Sequence, residues 1–297
     1  MRIVRTQSEI DSLDADRGEL VLVPTMGALH AGHAALIRRG AARAETAIRS
    51  DHAACIVSIF VNPTQFDDPR DFARYPRVLD VDVALCEAAG ATAVFAPSVE
   101  TMYPQGMTVA VPPMPAVATE PGLEDAHRPG HFRGVCQVVR RLFEMVRPKA
   151  AVFGEKDWQQ LQVVRAMTIA EGLPIEIIAG PTVREADGLA MSSRNVFLTA
   201  EERLRAAAMH RALRAAQHVG ATASESRPGA LRAAGTQAIA EDAMRRVLID
   251  AGIEVEYATI RHAHRLVRIP DDDPSPRRAL IAGRLGSVRL IDNAAWG

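Results

Sequence analysis

The stretch Leu20 to His33 reads LVLVPTMGALHAGH. Its first four residues form an unbroken apolar run of strand length, as a strand covered on both faces requires. Pro24 and Gly27 break that run, and from about His33 to Ala44 apolar residues return at helical spacing. A buried strand, a tight turn and a helix, in that order, open a βαβ unit. The alternation recurs downstream. Ala54 to Val61 is a second apolar strand, closed by Asn62-Pro63, and a helix near Val78 to Ala89 leads through Gly90 to a strand at Ala93 to Ala96. His131 to Val146 has helical spacing and stops at Arg147-Pro148. Ala150 to Phe153 then reads as a strand, Trp158 to Ala170 as a helix and Ile175 to Ile178 as a strand. Continuous apolar strands alternating with helices predict an α/β fold with a doubly wound, Rossmann-like parallel sheet.

After Arg184 the pattern changes. Two Ala/Arg-rich helices, roughly Glu201 to His218 and Ala230 to Ala251, flank Gly220 to Gly229, of which Ser224 to Gly229 reads as a mobile connection. Three short strands follow: Ile253 to Ile260, Ala279 to Ala282 and Val288 to Ile291. Helices followed by strands predict a smaller α+β domain, giving a division into residues 1–183 and 184–297. Asp271-Asp272-Asp273-Pro274 reads as a solvated acidic turn rather than a metal site.

The chain has 297 residues, enough for about two domains, and 48% of them are hydrophobic, enough for packed cores. With 35 Lys plus Arg against 36 Asp plus Glu, the net charge is −1, which lacks the basic excess of a nucleic-acid binder. No apolar stretch reaches the ~18 uncharged residues of a membrane span. Met1 to Ser12 mixes Arg, Glu and Asp with apolar residues, unlike a secretory leader. Cys55, Cys86 and Cys136 are odd in number and widely spaced, so they read as buried, reduced thiols of a cytoplasmic protein. Only Lys149 and Lys156 are lysines among the basic residues, a coding bias against which Lys156 stands out.

The strongest chemical signal is the turn after the first strand. A helix N-terminus at the carboxyl end of a buried strand offers unpaired N–H groups and a positive dipole end to an anion. His30 and His33, three residues apart around Gly32, add imidazole donors at that point. The turn is neither G-x-G-x-x-G nor a P-loop. Downstream, Met191-Ser192-Ser193-Arg194-Asn195 places two hydroxyls and a guanidinium at the change of pattern, where a loop could close over phosphates. Gly154-Glu155-Lys156-Asp157 lies at another strand end. There Lys156 can neutralise phosphate charge, Asp157 can bind ribose hydroxyls, and Gln160 would face the same cleft one turn on. Asn62 and Gln65, beyond a third strand end, offer uncharged amides for hydroxyl and carboxylate groups, although Asn62 before Pro63 is also an ordinary turn former. Arg128 and His131 form a basic pair at a helix start.

The two histidines resemble the HIGH signature of class I aminoacyl-tRNA synthetases and related nucleotidyltransferases, and MSSRN is similar to their KMSKS loop. Taken in order, PTMGALHxGH, FVNPxQF, RYPR, RPGHFxGV, RPKxxxFGEKDxQQL and PTVREADGLAMSSRN, between about Val21 and Leu198, resemble the pantoate–β-alanine ligase family. The resemblance implies an ATP-dependent synthesis of pantothenate through pantoyl-adenylate, assisted by Mg²⁺, in a homodimer that binds neither nucleic acid nor membrane. By motif it implies that His30 and His33 contact the ATP phosphates. Lys156, Ser192, Ser193 and Arg194 neutralise the triphosphate, while Gly154 and Asp157 hold the ribose. Val183 and Met191 frame adenine; Met26, Gln65 and Gln160 bind pantoate, with Asn62, Arg128 and His131 in the same cleft. Relatives carry adjacent acidic residues after the RYPR segment as a metal site. Here Val81 interrupts Asp80 and Asp82, and Asp82 keeps the matching place.

Three other readings compete with that implication. The first is a nucleotidyltransferase acting on a phosphorylated vitamin precursor, which would need an acceptor-phosphate site where this chain offers amides. The second is an RNA-binding fragment, which would need a basic appendage. The third is a nucleotide-binding regulator, which would bind ATP without releasing pyrophosphate.

Overall fold

The computed structural model describes residues 1–14, 19–46, 53–105, 109–225 and 235–297. It divides into two compact units. The first comprises Met1–Glu155 and Gln159–Pro181, the second Lys156–Trp158 and Thr182–Gly297.

The first unit is built on six parallel strands: β1 (Arg2–Val4), β2 (Leu20–Thr25), β3 (Ala54–Ile59), β4 (Ala93–Phe95), β5 (Ala150–Gly154) and β6 (Glu176–Gly180), in the order β1-β4-β3-β2-β5-β6. The expected doubly wound sheet is therefore present. Leu20 to Val23 pair in register with Ala54 to Val57 and are buried throughout, as a central strand covered on both faces must be. Each such side chain removed from water contributes about 1.5–3 kcal/mol. The chain leaves β2 for β3 on one side and β5 for β6 on the other, so the winding reverses between the neighbours β2 and β5. In open α/β sheets, the crevice at the carboxyl ends of such strands is where ligands bind.

The helix Ala31–Glu45 lies against this sheet through Ala34, Ile37 and Gly40. A Cβ at Gly40 would stand 2.9 Å from Val23 Cγ2 and 3.0 Å from Cys55 Sγ, so the helix approaches the strands more closely than any side chain there would permit. Cys55, Cys86 and Cys136 are buried and unbridged, and burial pushes each thiol up to about 12, leaving them protonated and unreactive. β1 and the helix Gln7–Asp14 are not evident in the sequence reading. β1 is a three-residue edge strand carrying the exposed Arg2, too short and too charged for the apolar pattern to reveal.

In the second unit, the helices Ala200–Ala206, Ala208–Glu225 and Thr236–Asp250 belong with an antiparallel sheet of β7 (Glu254–His262), β8 (Arg277–Leu285) and β9 (Val288–Trp296). Met209, Ala212, Leu213, Met244, Leu248, Ile260, Ile281 and Trp296 share its core. All three strands outrun their expected lengths. The expected break at Gly220 does not occur, because the helix runs on to Glu225. A Cβ at Gly220 would lie 3.2 Å from the Trp296 indole nitrogen, so this glycine serves a close helix–sheet approach rather than a turn. The rest of the expected connection, and the first residues of the expected helix from Ala230, fall outside the described residues. The acidic turn caps a helix. Asp271 accepts the backbone N–H of Gly235 at 2.7 Å and of Gln237 at 3.0 Å, satisfying donors at the start of Thr236–Asp250. Among the described residues, no helix is long and apolar enough to cross a membrane.

Candidate active site

Each unit carries its own set of the residues singled out above. In the first unit, β2 gives way to a turn that only unusual backbone can make, with Gly27 at φ +81° and Ala28 at φ +50°. That turn presents the amides of Ala28 and Leu29 to the buried carboxylate of Asp82, at 3.0 and 2.7 Å. Both Asp82 oxygens are thus occupied by backbone donors. Burial raises its pKa, against the lowering effect of those two amides. The buried Tyr75 hydroxyl also reaches the Gly27 carbonyl at 3.4 Å.

The turn delivers two imidazoles to one helix end. His30 is the N-cap of Ala31–Glu45: its Nδ1 accepts the Gly32 N–H at 3.1 Å, while His33 Nδ1 accepts the His30 N–H at 3.3 Å. This is a capping box made from imidazoles. Because each Nδ1 acts as acceptor, the neutral ring carries its hydrogen on Nε2, so both side chains are Nε2–H donors. The ring centroids stand 4.2 Å apart.

A second cluster follows β3. Asn62, 1% exposed, donates through Nδ2 to Gln65 Oε1 (3.1 Å) and to the Gly134 carbonyl (3.2 Å). Its Oδ1 accepts from Thr64 N–H and from the Tyr103 hydroxyl at 2.8 Å. The turn-former reading of Asn62 is therefore realised, and its amide is used up in holding Gln65. Gln65 Nε2 points at Met26 Sδ, 3.1 Å away. His131 Nδ1 is 2.9 Å from the Gln65 carbonyl and its Nε2 is 3.1 Å from Arg128 Nη1. A carbonyl only accepts and a guanidinium only donates, which assigns His131 as the neutral Nδ1–H tautomer. Met26, Asn62, Gln65, Arg128 and His131 are thus one bonded chain. A Cβ at Gly134 would fall 2.3 Å from the Thr64 carbonyl oxygen, so that glycine is what lets the helix His131–Val146 seat on this loop. Gly154 closes β5 opposite Gly180, and Gln160 lies half-buried in the helix that follows.

In the second unit, Lys156 and Asp157 sit in the short turn Glu155–Asp157, Lys156 half-buried and Asp157 exposed. The Lys156 carbonyl accepts from Asn293 Nδ2 at 2.8 Å. Val183 and Met191 are neighbours across a small hairpin, Met191 N–H donating to the Val183 carbonyl at 3.0 Å, with Arg184 bridged to Ala190 beside them. Ser192 caps the turn Ser193–Phe197 by accepting the Arg194 N–H at 3.3 Å. The sequence reading gives no role to Tyr103, Asp292 or Asn293. A polar pair inside the apolar run of β9 is the signal that could have found the last two. Among the described residues, no three His, Cys, Asp or Glu gather as a metal-holding cluster.

A helix end carrying two imidazole donors, at the reversal point of a doubly wound sheet, is the setting in which an α/β enzyme places its site. The particular family follows from the comparisons. The family model described as pantoate–β-alanine ligase matches residues 2–295. A pantothenate synthetase of Bradyrhizobium sp. is 43% identical over 302 residues, covering 99% of this chain and 98% of its own. The crystal structure of pantothenate synthetase from Thermus thermophilus matches with a TM-score of 0.83 at 41% identity, covering 99% of each chain. A pantoate–β-alanine ligase from Francisella tularensis, solved in complex with beta-gamma ATP and beta-alanine, matches at 0.75 and 29% identity, covering 99% of this chain and 97% of its own. The chain belongs to the pantoate–β-alanine ligase family.

Proposed function

We propose that the ligation runs on ATP through pantoyl-adenylate. A pantoate carboxylate oxygen attacks the α-phosphorus of ATP, the bond to the bridging oxygen breaks, and pyrophosphate leaves. The amine of β-alanine then attacks the acyl carbon, releasing AMP and one proton and leaving the amide of pantothenate. No side chain becomes a covalent nucleophile; positioning and charge stabilisation carry the rate.

The observation that carries this reading is the pair of Nε2–H donors of His30 and His33 at the N-terminus of Ala31–Glu45. Such donors suit negative charge that grows on phosphate oxygens during in-line transfer. Lys156, Ser192, Ser193 and Arg194 serve the triphosphate, Gly154 and Asp157 the ribose, and Val183 and Met191 the adenine. Gln65, Met26 and Gln160 bind pantoate. Arg128 and His131 border it, and Asn62 holds Gln65 in place.

Magnesium enters with the nucleotide. Among the described residues no cluster of three His, Cys, Asp or Glu stands ready for it, and Asp82, each of whose oxygens accepts one backbone amide and keeps a second lone pair, is the carboxylate at the motif's acidic position. No step is routed through the metal; the ion would rest mainly on phosphate oxygens, Asp82 and water. We place the enzyme in the cytoplasm as a homodimer, a reading supported by three free thiols and by family membership. The test is the dependence of product on each substrate. ATP with pantoate should yield pyrophosphate, and AMP should be freed only once β-alanine is added. AMP release from ATP and pantoate alone at the full rate would defeat the two-step reading.

A further inference from the structure

β9 carries a polar pair, Asp292 and Asn293, within a run of apolar residues. Successive side chains of a strand leave its two faces. On one face the Asp292 carboxylate, 1% exposed, is gripped by the two terminal guanidinium nitrogens of Arg184, at 2.6 and 3.0 Å. Arg184 also donates to the Gly188 carbonyl at 3.0 Å and pairs with Ala190, the residue immediately before Met191. The hairpin leading into Ser192, Ser193 and Arg194 is therefore fastened at Asp292. On the other face Asn293 Nδ2 donates to the Lys156 carbonyl at 2.8 Å, while its Oδ1 accepts Arg278 Nε at 2.7 Å. The Arg278 guanidinium in turn lies 3.5 Å from the centre of the Trp158 ring, two residues after Lys156. The pair is joined internally, Asn293 N–H donating to Asp292 Oδ1 at 2.8 Å.

We infer that Asp292 and Asn293 are positioning residues for adenylation, fixing the Lys156 turn and the Ser192–Arg194 turn in one register from adjacent peptide units of a single strand. The inference rests on the proposal that both turns serve the triphosphate. One turn is three residues long, set between β5 and the helix Trp158–Ala170, and the other follows a hairpin with a single bridge. A lysine reaches its target on a flexible four-carbon stem, so the placement of its backbone sets where the ammonium can act. Displacement by an ångström at such a site lowers rate by about a hundredfold.

The two half-reactions separate this role from a general structural one, because only the first involves a triphosphate. Pyrophosphate release from ATP and pantoate, and AMP release from pre-made pantoyl-adenylate and β-alanine, are measured for wild type, Asn293→Asp and Asp292→Asn. Asn293→Asp keeps the acceptor for Arg278 but sets an oxygen against the Lys156 carbonyl; Asp292→Asn keeps the volume and loses the charge opposite Arg184. Each variant should slow pyrophosphate release about 10- to 100-fold and slow the second half-reaction much less, because the adenylate keeps the ribose and adenine contacts of these turns but has lost the triphosphate. In a Lys156→Ala background, Asn293→Asp should add little further loss, as for two residues acting through one group. Equal slowing of both half-reactions, no slowing of either, or full additivity with Lys156→Ala would overturn the inference. Where Asp292→Asn fails to accumulate as folded protein, Asn293→Asp decides alone. Wild-type enzyme that releases no pyrophosphate from ATP and pantoate would overturn the adenylate reading itself, and this inference with it.

Discussion

His30 and His33 cap the same helix through their Nδ1 atoms, at 3.1 and 3.3 Å from the amides of Gly32 and His30, and so turn both Nε2–H groups into donors. Capping and the proposed phosphate contact are therefore separable by substitution. His30→Asn keeps a strong N-cap, so the protein should melt near the wild-type temperature while pyrophosphate release falls about 10²–10³-fold. His30→Ala should lose the same activity and, in addition, about 0.5–2 kcal/mol of stability. Thermal unfolding beside a pyrophosphate assay checks both.

Gln65 is held by Asn62 at 3.1 Å and is read as a pantoate ligand. Gln65→Ala should raise the KM for pantoate while leaving that for ATP close to wild type. An equal rise in both would assign Gln65 to loop structure instead.

Lys156 is proposed to supply charge where the triphosphate separates. Lys156→Ala should slow pyrophosphate release about 10²–10³-fold, with the unfolding midpoint unchanged because the side chain is only half-buried. Near-normal release would remove Lys156 from the adenylation step.

Asp82 anchors the turn ahead of His30 through the amides of Ala28 and Leu29. Asp82→Ala should destabilise the fold by about 1–3 kcal/mol for each N–H it orphans and lower kcat. A magnesium titration separates this role from ligation of the metal: an anchor leaves the concentration for half-maximal rate unchanged, and a ligand raises it.

His210 gives the second unit an acid-side weakness. Burial, then the neighbouring Arg184, hold its pKa below the usual 6.5, with Asp292 opposing, and its Nδ1 has no hydrogen-bond partner among the described residues. The unfolded chain therefore takes up the proton first. The stability contributed by the neutral ring is complete above about pH 6.5 and is lost as pH falls through the depressed value. The unfolding midpoint should drop between about pH 7.5 and about pH 5, and His210→Gln should flatten that drop. His262, depressed by burial and Arg265, adds a parallel loss that the substitution leaves in place. An unchanged slope in His210→Gln would sink the assignment.

The parallel sheet is legible in the sequence because its strands are apolar on both faces, so their pattern needs no partner to be read. β9 reads as ending at Ile291 for the opposite reason. Asp292 and Asn293 look like a strand end until Arg184, Arg278 and Lys156 are seen to satisfy them. Gly220 reads as a breaker because nothing local reveals that Trp296 lies against it. Within the candidate site, His30, His33 and Lys156 announce themselves by residue type and by position after a strand. Tyr103, which fixes Asn62 from 41 residues away, carries no local signal at all.

Three residues, Lys156–Trp158, belong to the second unit although the chain on either side of them belongs to the first. Trp158 gives its indole N–H to the Ala263 carbonyl at 2.6 Å and its ring face to Arg278. A graft that joins residues 1–181 to the remainder of a relative therefore inherits a tripeptide of the wrong parentage, its tryptophan set against a foreign carbonyl and a foreign cation. Recombination between these enzymes keeps its fit only where that tripeptide travels with the downstream half, so their natural seam is not a single cut in the gene.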